Sequence, residues 1–205
     1  MHGLIFSSFE DYLNVRHGPE TATEVMAGEP IYLLSETYPD ERLTALIERA
    51  ATLVNVDADA LEQDFGAFTA ESTFARLYPA LFAMSLSARA FLLTVEAQIH
   101  EVVRAAIPSA QPPMLAVSES GPAAVSIVYT SPRRLCSFLR GLVEGTGRHY
   151  GETVLIDEST CMRRGDASCT FEVHFEPRLP TAVAAPEPEA ARVGGVPREL
   201  SQPST

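Results

Sequence analysis

The chain has no tryptophan, only three cysteines, and 15 lysines and arginines against 27 acidic residues. Each shortage closes off something. Without Trp there is no indole N–H to donate a hydrogen bond. Cys136, Cys161 and Cys169 are too few, and odd in number, for a disulfide framework. A formal net charge of −12 repels phosphate backbones, which argues against nucleic-acid binding and against a general membrane-surface role. Long apolar runs are missing too. The most apolar stretch, 78–95, is broken by Ser85, Ser87 and Arg89, whereas a membrane span needs ~20 mostly apolar residues. The opening MHGLIFSSFEDYL has neither the basic start nor the small-residue cleavage site of an export signal. A cytoplasmic protein is expected.

What is present suits one globular domain. Of 205 residues, 46% are apolar and 20% charged, enough to bury a sizeable core. The segment from Pro177 onward carries many prolines and few large apolar side chains. Such a composition cannot offset its ordering entropy, so a disordered tail is expected over 177–205, leaving a folded domain of 1–176.

The first half reads as helical. Residues 9–15 form a short helix ending near Gly18. In 41–54, Leu43, Leu46, Ile47, Ala50 and Leu53 fall on one stripe. Asp57 is placed to cap a helix over 58–66. Helices over 71–81 and 85–107 follow. Then the period changes. Segments 114–117 and 123–129 flank Ser118–Gly121 as a hairpin. Ser131-Pro132 reads as a cap and first turn of another helix, and 154–156 and 169–175 read as strands. Helices followed by a strand–helix–strand region predict an α+β fold: a mainly helical N-terminal half, then an antiparallel sheet with a helix inserted.

Three features carry chemistry. His100 lies mid-helix, at the edge of a stripe formed by Leu92, Val95, Ile99, Val102 and Ala106. A neutral imidazole among aliphatic neighbours suits an axial metal ligand; it equally suits a half-buried histidine bonded to a carbonyl or to Glu96. Tyr129-Thr-Ser131-Pro-Arg133 brings a phenol, a hydroxyl and a guanidinium to the end of a strand, a donor set for anionic oxygens. The plainer alternative is a capping Ser, a core-edge Tyr and a solvated Arg. Pro112-Pro113 stiffens the chain after the His100 helix and would press against a planar ligand or serve as a connector.

Together, these features resemble the haem–nitric-oxide/oxygen-binding (H-NOX or HNOB) family. The likeness runs from MHGLIFSSFEDYL through FARLYPALF, the His100 helix, its spacing to Pro112-Pro113, Tyr129–Ser131–Arg133 and FLRGLVEGTGRHYGE, over about residues 1–176. It implies haem b sandwiched between the two parts of the fold, with His100 as proximal ligand of the iron. Tyr129, Ser131 and Arg133 would bind the propionates. Pro113 would distort the porphyrin. Leu4 and Ile5 would lie near the pocket wall, and Phe74 and Tyr78 on the distal side. Phe138 stands where members that hold O2 carry a distal tyrosine. With no Trp either, the resemblance implies a site that binds NO and CO and discriminates against O2.

It further implies a sensor, not an enzyme, in which loss of the iron–histidine bond frees the His100 helix. No output domain is recognisable after Phe175, so the signal would pass in trans to a histidine kinase or a diguanylate cyclase or phosphodiesterase. A haem-free regulatory scaffold binding another planar anionic ligand is the competing reading. Some relatives hold zinc with four cysteines. Here Cys136, Cys161 and Cys169 would supply three ligands, and Glu158 stands near the place of the fourth. A similar Cys–Gly-Asp–Cys turn occurs in 4-vinyl-reductase-type domains, but that likeness covers only the last quarter.

Overall fold

The computed structural model describes residues 1–106 and 111–177. Ile107 of the predicted His100 helix and most of the predicted tail lie outside the described residues. Helix α1 is Gly3–His17 and stops at Gly18, whose φ of 91° suits only glycine. α2 follows at Pro19–Val25 and α3 at Asp40–Val54. The predicted stripe of α3 is buried at Leu43, Leu46, Ile47 and Ala50, but Leu53 is exposed.

α4, Ala58–Phe68, is capped as expected by Asp57, which accepts from the amides of Asp59 and Ala60. It runs on as a wider π turn, Thr69–Phe74, and a last turn α5, Ala75–Leu77. The predicted helix 71–81 is broken at Tyr78, because Pro79 restricts the residue before it and opens α6, Pro79–Ala83.

The predicted helix 85–107 is also three pieces: α7 Ala88–Val95, a π turn Glu96–His100, and α8 Glu101–Ala106. The first piece starts at Ala88, three residues later than expected, and Ser87 caps it by accepting from the Ala90 amide. The π turn shifts the 3.6-residue register, which explains why Val102, expected on the apolar stripe, is 57% exposed.

Strands β1 (Met114–Gly121) and β2 (Ala124–Thr130) form the hairpin, with its apex at Pro122-Ala123 instead of 118–121. Ser131-Pro132 does not open a helix. Residues 131–135 form a turn with Arg134 at φ 52°, and α9 starts at Cys136 and ends at His149. β3 (Glu152–Thr160) and β4 (Cys169–Pro177) complete an antiparallel sheet of order β1-β2-β4-β3. The fold is α+β, as the patterning predicts.

Two cores result. One gathers α1, α3 and α4 around Phe6, Phe9 and Phe65. The other lies between the sheet, through Ile127, Phe171 and Val173, and helices α7 and α9. α9 enters both: Phe138 joins the first, while Cys136, Leu139 and Val143 join the second. It lies almost backbone to backbone on α4. A Cβ on Gly141 would stand 1.9 Å from the Gln63 carbonyl oxygen, and one on Gly66 would stand 2.2 Å from that of Phe138.

Candidate functional site

His100 closes the π turn. Its Nδ1 lies 3.0 Å from Glu96 Oε2. The same oxygen accepts from the Leu115 amide at 3.2 Å, and Oε1 pairs with Arg104. Burial lowers the His100 pKa, and the attraction of Glu96 offsets this only in part, so the ring is held neutral. Burial likewise pushes the Glu96 carboxyl up, but Arg104, His100 and the Leu115 amide outweigh it and hold the carboxyl low. With Nδ1 taken, Nε2 has no hydrogen-bond partner among the described residues.

Leu115 of β1 stands opposite Tyr129 of β2. The Glu96 carboxylate therefore ties the His100 turn to the strand pair that carries the Tyr129 motif. Tyr129 is buried, and burial pushes its hydroxyl up to about 12, against the pull of Ser131 and the Leu135 amide. It stays a neutral donor. Ser131, also buried, accepts from the Arg133 amide at 3.3 Å instead of capping a helix.

Arg133 is anchored by Nη1 donating to the Gln111 carbonyl at 2.5 Å. Its Nε sits 2.9 Å from Asp40 Oδ1, yet that buried N–H has no well-angled acceptor among the described residues. At that distance the two form an ion pair, and Arg133 helps hold the Asp40 carboxyl low. Asp40 also meets the Met1 ammonium at 2.5 Å. The proximity of Asp40 could not be read from sequence, since it lies far from Arg133 along the chain.

Pro113 is half-buried just ahead of β1. Leu4 and Ile5 are half-buried on α1, and Phe74 is half-buried against the second core. Phe138 is buried with its ring 4.9 Å from Phe65. Tyr78 is 44% exposed, with its ring 6.3 Å from Phe74. It lies at the surface, not inside either core.

Between α1 and the first π turn lies a hydroxyl chain that sequence reading missed. Ser8 Oγ stands 3.0 Å from Thr69 Oγ1 and 2.7 Å from Thr73 Oγ1, and all three residues are buried. Thr69 donates its single hydrogen to the Phe65 carbonyl. Ser8 must then donate to Thr69, and Thr73 to Ser8. Every hydroxyl hydrogen is spent within the chain. The spacing of Thr69 and Thr73 was its only sequence signal.

The three cysteines converge. Their Sγ atoms all lie within 4.8 Å of one another, and all three residues are buried and unpaired. Cys136 and Cys169 are 3.0 Å apart, and Cys169 and Cys161 are 3.9 Å apart. Burial raises the Cys136 and Cys161 thiols. Glu158 lies beside Cys161, and its carboxyl adds to the rise of that thiol. Its Oε2 pairs with Arg140 and Arg164, while its buried Oε1 has no partner among the described residues.

The donor set fits haem: a neutral imidazole nitrogen without a partner for the iron, and a phenol, a hydroxyl and a guanidinium for propionates. Residues 2–158 match the family described as Haem-NO-binding (HNOB). No curated protein matches. An H-NOX protein from S. oneidensis in its Fe(II)NO ligation state is 21% identical, with a TM-score of 0.79, over 86% of this chain and 99% of that one. An Fe(II) unliganded H-NOX protein from K. algicida is 23% identical, with a TM-score of 0.76, over 88% and 100%. The I5F mutant of a T. Tengcongensis H-NOX is 18% identical, with a TM-score of 0.76, over 87% and 100%. At these identities the structures share a fold, and the family match covers well over half of the chain. The chain therefore belongs to the haem-NO-binding, or H-NOX, family of sensor domains.

Proposed function

We propose that residues 1–176 form a cytoplasmic haem-based sensor that binds NO and CO, discriminates against O2, and signals to a separate enzyme. Haem b, when bound, would supply the iron centre for diatomic gases. The observation that carries the reading is the His100 arrangement: a neutral ring, tethered at Nδ1 and without a partner at Nε2. His100 would hold the iron. Tyr129, Ser131 and Arg133 would hold the propionates, and Pro113 would press on the macrocycle. Leu4, Ile5, Phe74 and Phe138 would form an apolar wall that excludes water. Release of His100 would free the π turn and α8 to shift, a two-state element for a partner to read. A histidine kinase, or a diguanylate cyclase or phosphodiesterase, is the class of partner proposed.

Discrimination against O2 follows from donor supply. Bound O2 carries partial negative charge and is held by a nearby hydrogen-bond donor. Here Phe138 offers none, and the Ser8–Thr69–Thr73 hydroxyls spend theirs on one another and on Phe65.

The test is spectroscopic. The ferrous protein should show a Soret band that His100→Ala abolishes and added imidazole restores. NO should shift the band strongly to the blue, and air should give no stable oxy spectrum. A Soret band that survives in His100→Ala would overturn the assignment, and a stable oxy spectrum would overturn the gas preference.

The cysteine trio also fits a soft metal ion. We infer zinc, held by Cys136, Cys161 and Cys169 with a fourth ligand from outside the trio.

A further inference from the structure

Glu96 meets the His100 turn through both its backbone carbonyl and its carboxylate. It opens the π turn that His100 closes, and the Glu101 amide donates to its carbonyl across the widened turn. Its carboxylate then collects three donors from three directions. These are His100 Nδ1 at 3.0 Å, the Leu115 amide at 3.2 Å and the Arg104 guanidinium. The Leu115 contact fastens the carboxylate to β1, so its position does not depend on the helix alone. The His100 contact has a defined sense. A carboxylate has no hydrogen to give, and this one already accepts from the Leu115 amide and Arg104, so the ring must carry its proton on Nδ1 and keep its lone pair on Nε2.

A carboxylate on the far nitrogen of a ligating histidine fixes the tautomer and raises the basicity of the ligating nitrogen. Arg104 works against it, since a guanidinium on the same carboxylate draws charge away from the ring. We propose that Glu96 is a positioning residue that fixes the orientation and tautomer of His100 and sets the strength of its bond to the iron, with Arg104 as the opposing trim. This rests on the reading of His100 as the iron ligand. The charged groups around the ring that take part are Glu96 and Arg104. They place the break-point of the His100 bond between two substitutions of opposite sign.

Glu96→Gln keeps an acceptor of the same shape and removes its charge. Arg104→Gln leaves the carboxylate in place and removes the counter-charge. The probe is the iron–histidine stretch of the ferrous protein by resonance Raman spectroscopy. Glu96→Gln should lower its frequency and weaken haem binding by about 10-fold, and Arg104→Gln should raise the frequency. In the haem-free protein, nitrogen NMR of His100 should show the Nδ1–H form, and Glu96→Ala should lose that preference. A helix that merely packs would show neither the opposite shifts nor the tautomer change.

Shifts in the same direction, or a stretch unmoved in both variants, overturn the proposal. If Glu96→Gln does not fold, Arg104→Gln decides alone: a stretch that fails to rise overturns it. His100→Ala separates the two levels. An iron–histidine band that persists in it overturns the ligand assignment itself. A band lost in His100→Ala but unmoved by Glu96→Gln and Arg104→Gln overturns only the role given to Glu96.

Discussion

At the scale of single residues, this protein places several charges where burial makes them expensive. Glu62 on α4 is almost fully buried. It accepts from the Phe138 amide at 2.9 Å and from Arg163 at 2.6 Å. Burial pushes its carboxyl up, and Arg163 and the amide only partly offset that. A carboxyl raised in the folded state holds its proton more tightly there, so this group makes stability fall as pH climbs from the unfolded value, ~4.3, through the folded one. Arg163→Ala should raise that carboxyl further and leave the charge uncompensated. The expected loss at neutral pH is about 2–3 kcal/mol, below the ~3–5 of a fully buried pair because Arg163 is partly exposed. Urea unfolding at pH 5 and pH 8 checks it: the loss must be larger at pH 8, and equal losses would refute the account. None of this was readable beforehand, because Glu62 and Arg163 lie far apart in the chain. His100, Tyr129, Ser131 and Arg133 stood out because they are chemically unusual for their local pattern. Asp40, which pairs with Arg133, and Glu62 and the hydroxyl chain elsewhere are ordinary residues whose contacts only the fold creates.

At the scale of elements, periodicity predicted α3 and α4 but missed α2 and started α1 six residues late. α3 buried four of its five stripe residues, and Asp57 capped α4. It failed where a helix changed its pitch. The two π turns follow α4 and α7, and each moves later residues off a 3.6-residue stripe, as Val102 shows. The turn after Ser131 misled for another reason: Arg134 takes a left-handed conformation that residue type does not advertise. The α4–α9 contact makes its own prediction. Gly141→Ala would drive a methyl into the Gln63 backbone. Overpacking of that kind costs ~1–3 kcal/mol, while Gly121→Ala, whose Cβ meets only an ordinary 3.4 Å neighbour, should stay within ~0.5 kcal/mol of wild type. Chemical denaturation of the two variants compares them directly, and similar stabilities would contradict the close approach.

At the scale of the whole molecule, the two candidate sites adjoin. Tyr129, of the propionate motif, stands opposite Cys169 in the β2–β4 register, and Cys136 begins α9 just after the Ser131–Leu135 turn. Zinc on the trio would brace the floor beneath Tyr129. Protein made without a polyhistidine tag should carry about one zinc per chain, by the stoichiometry of the single trio. Chelation should lower its melting temperature, and binding should weaken as pH falls, because the raised thiols must first lose their protons. A metal-free preparation with the same melting temperature would refute the site. The helix that joins the cores sets how any such event is transmitted. α9 is seated in both cores and pressed against α4 without side chains between the closest backbones. Such a joint leaves the two helices little room to slide or turn against each other. A displacement of one core against the other therefore has to pass through α9, so the two halves behave as coupled and not as independent bodies.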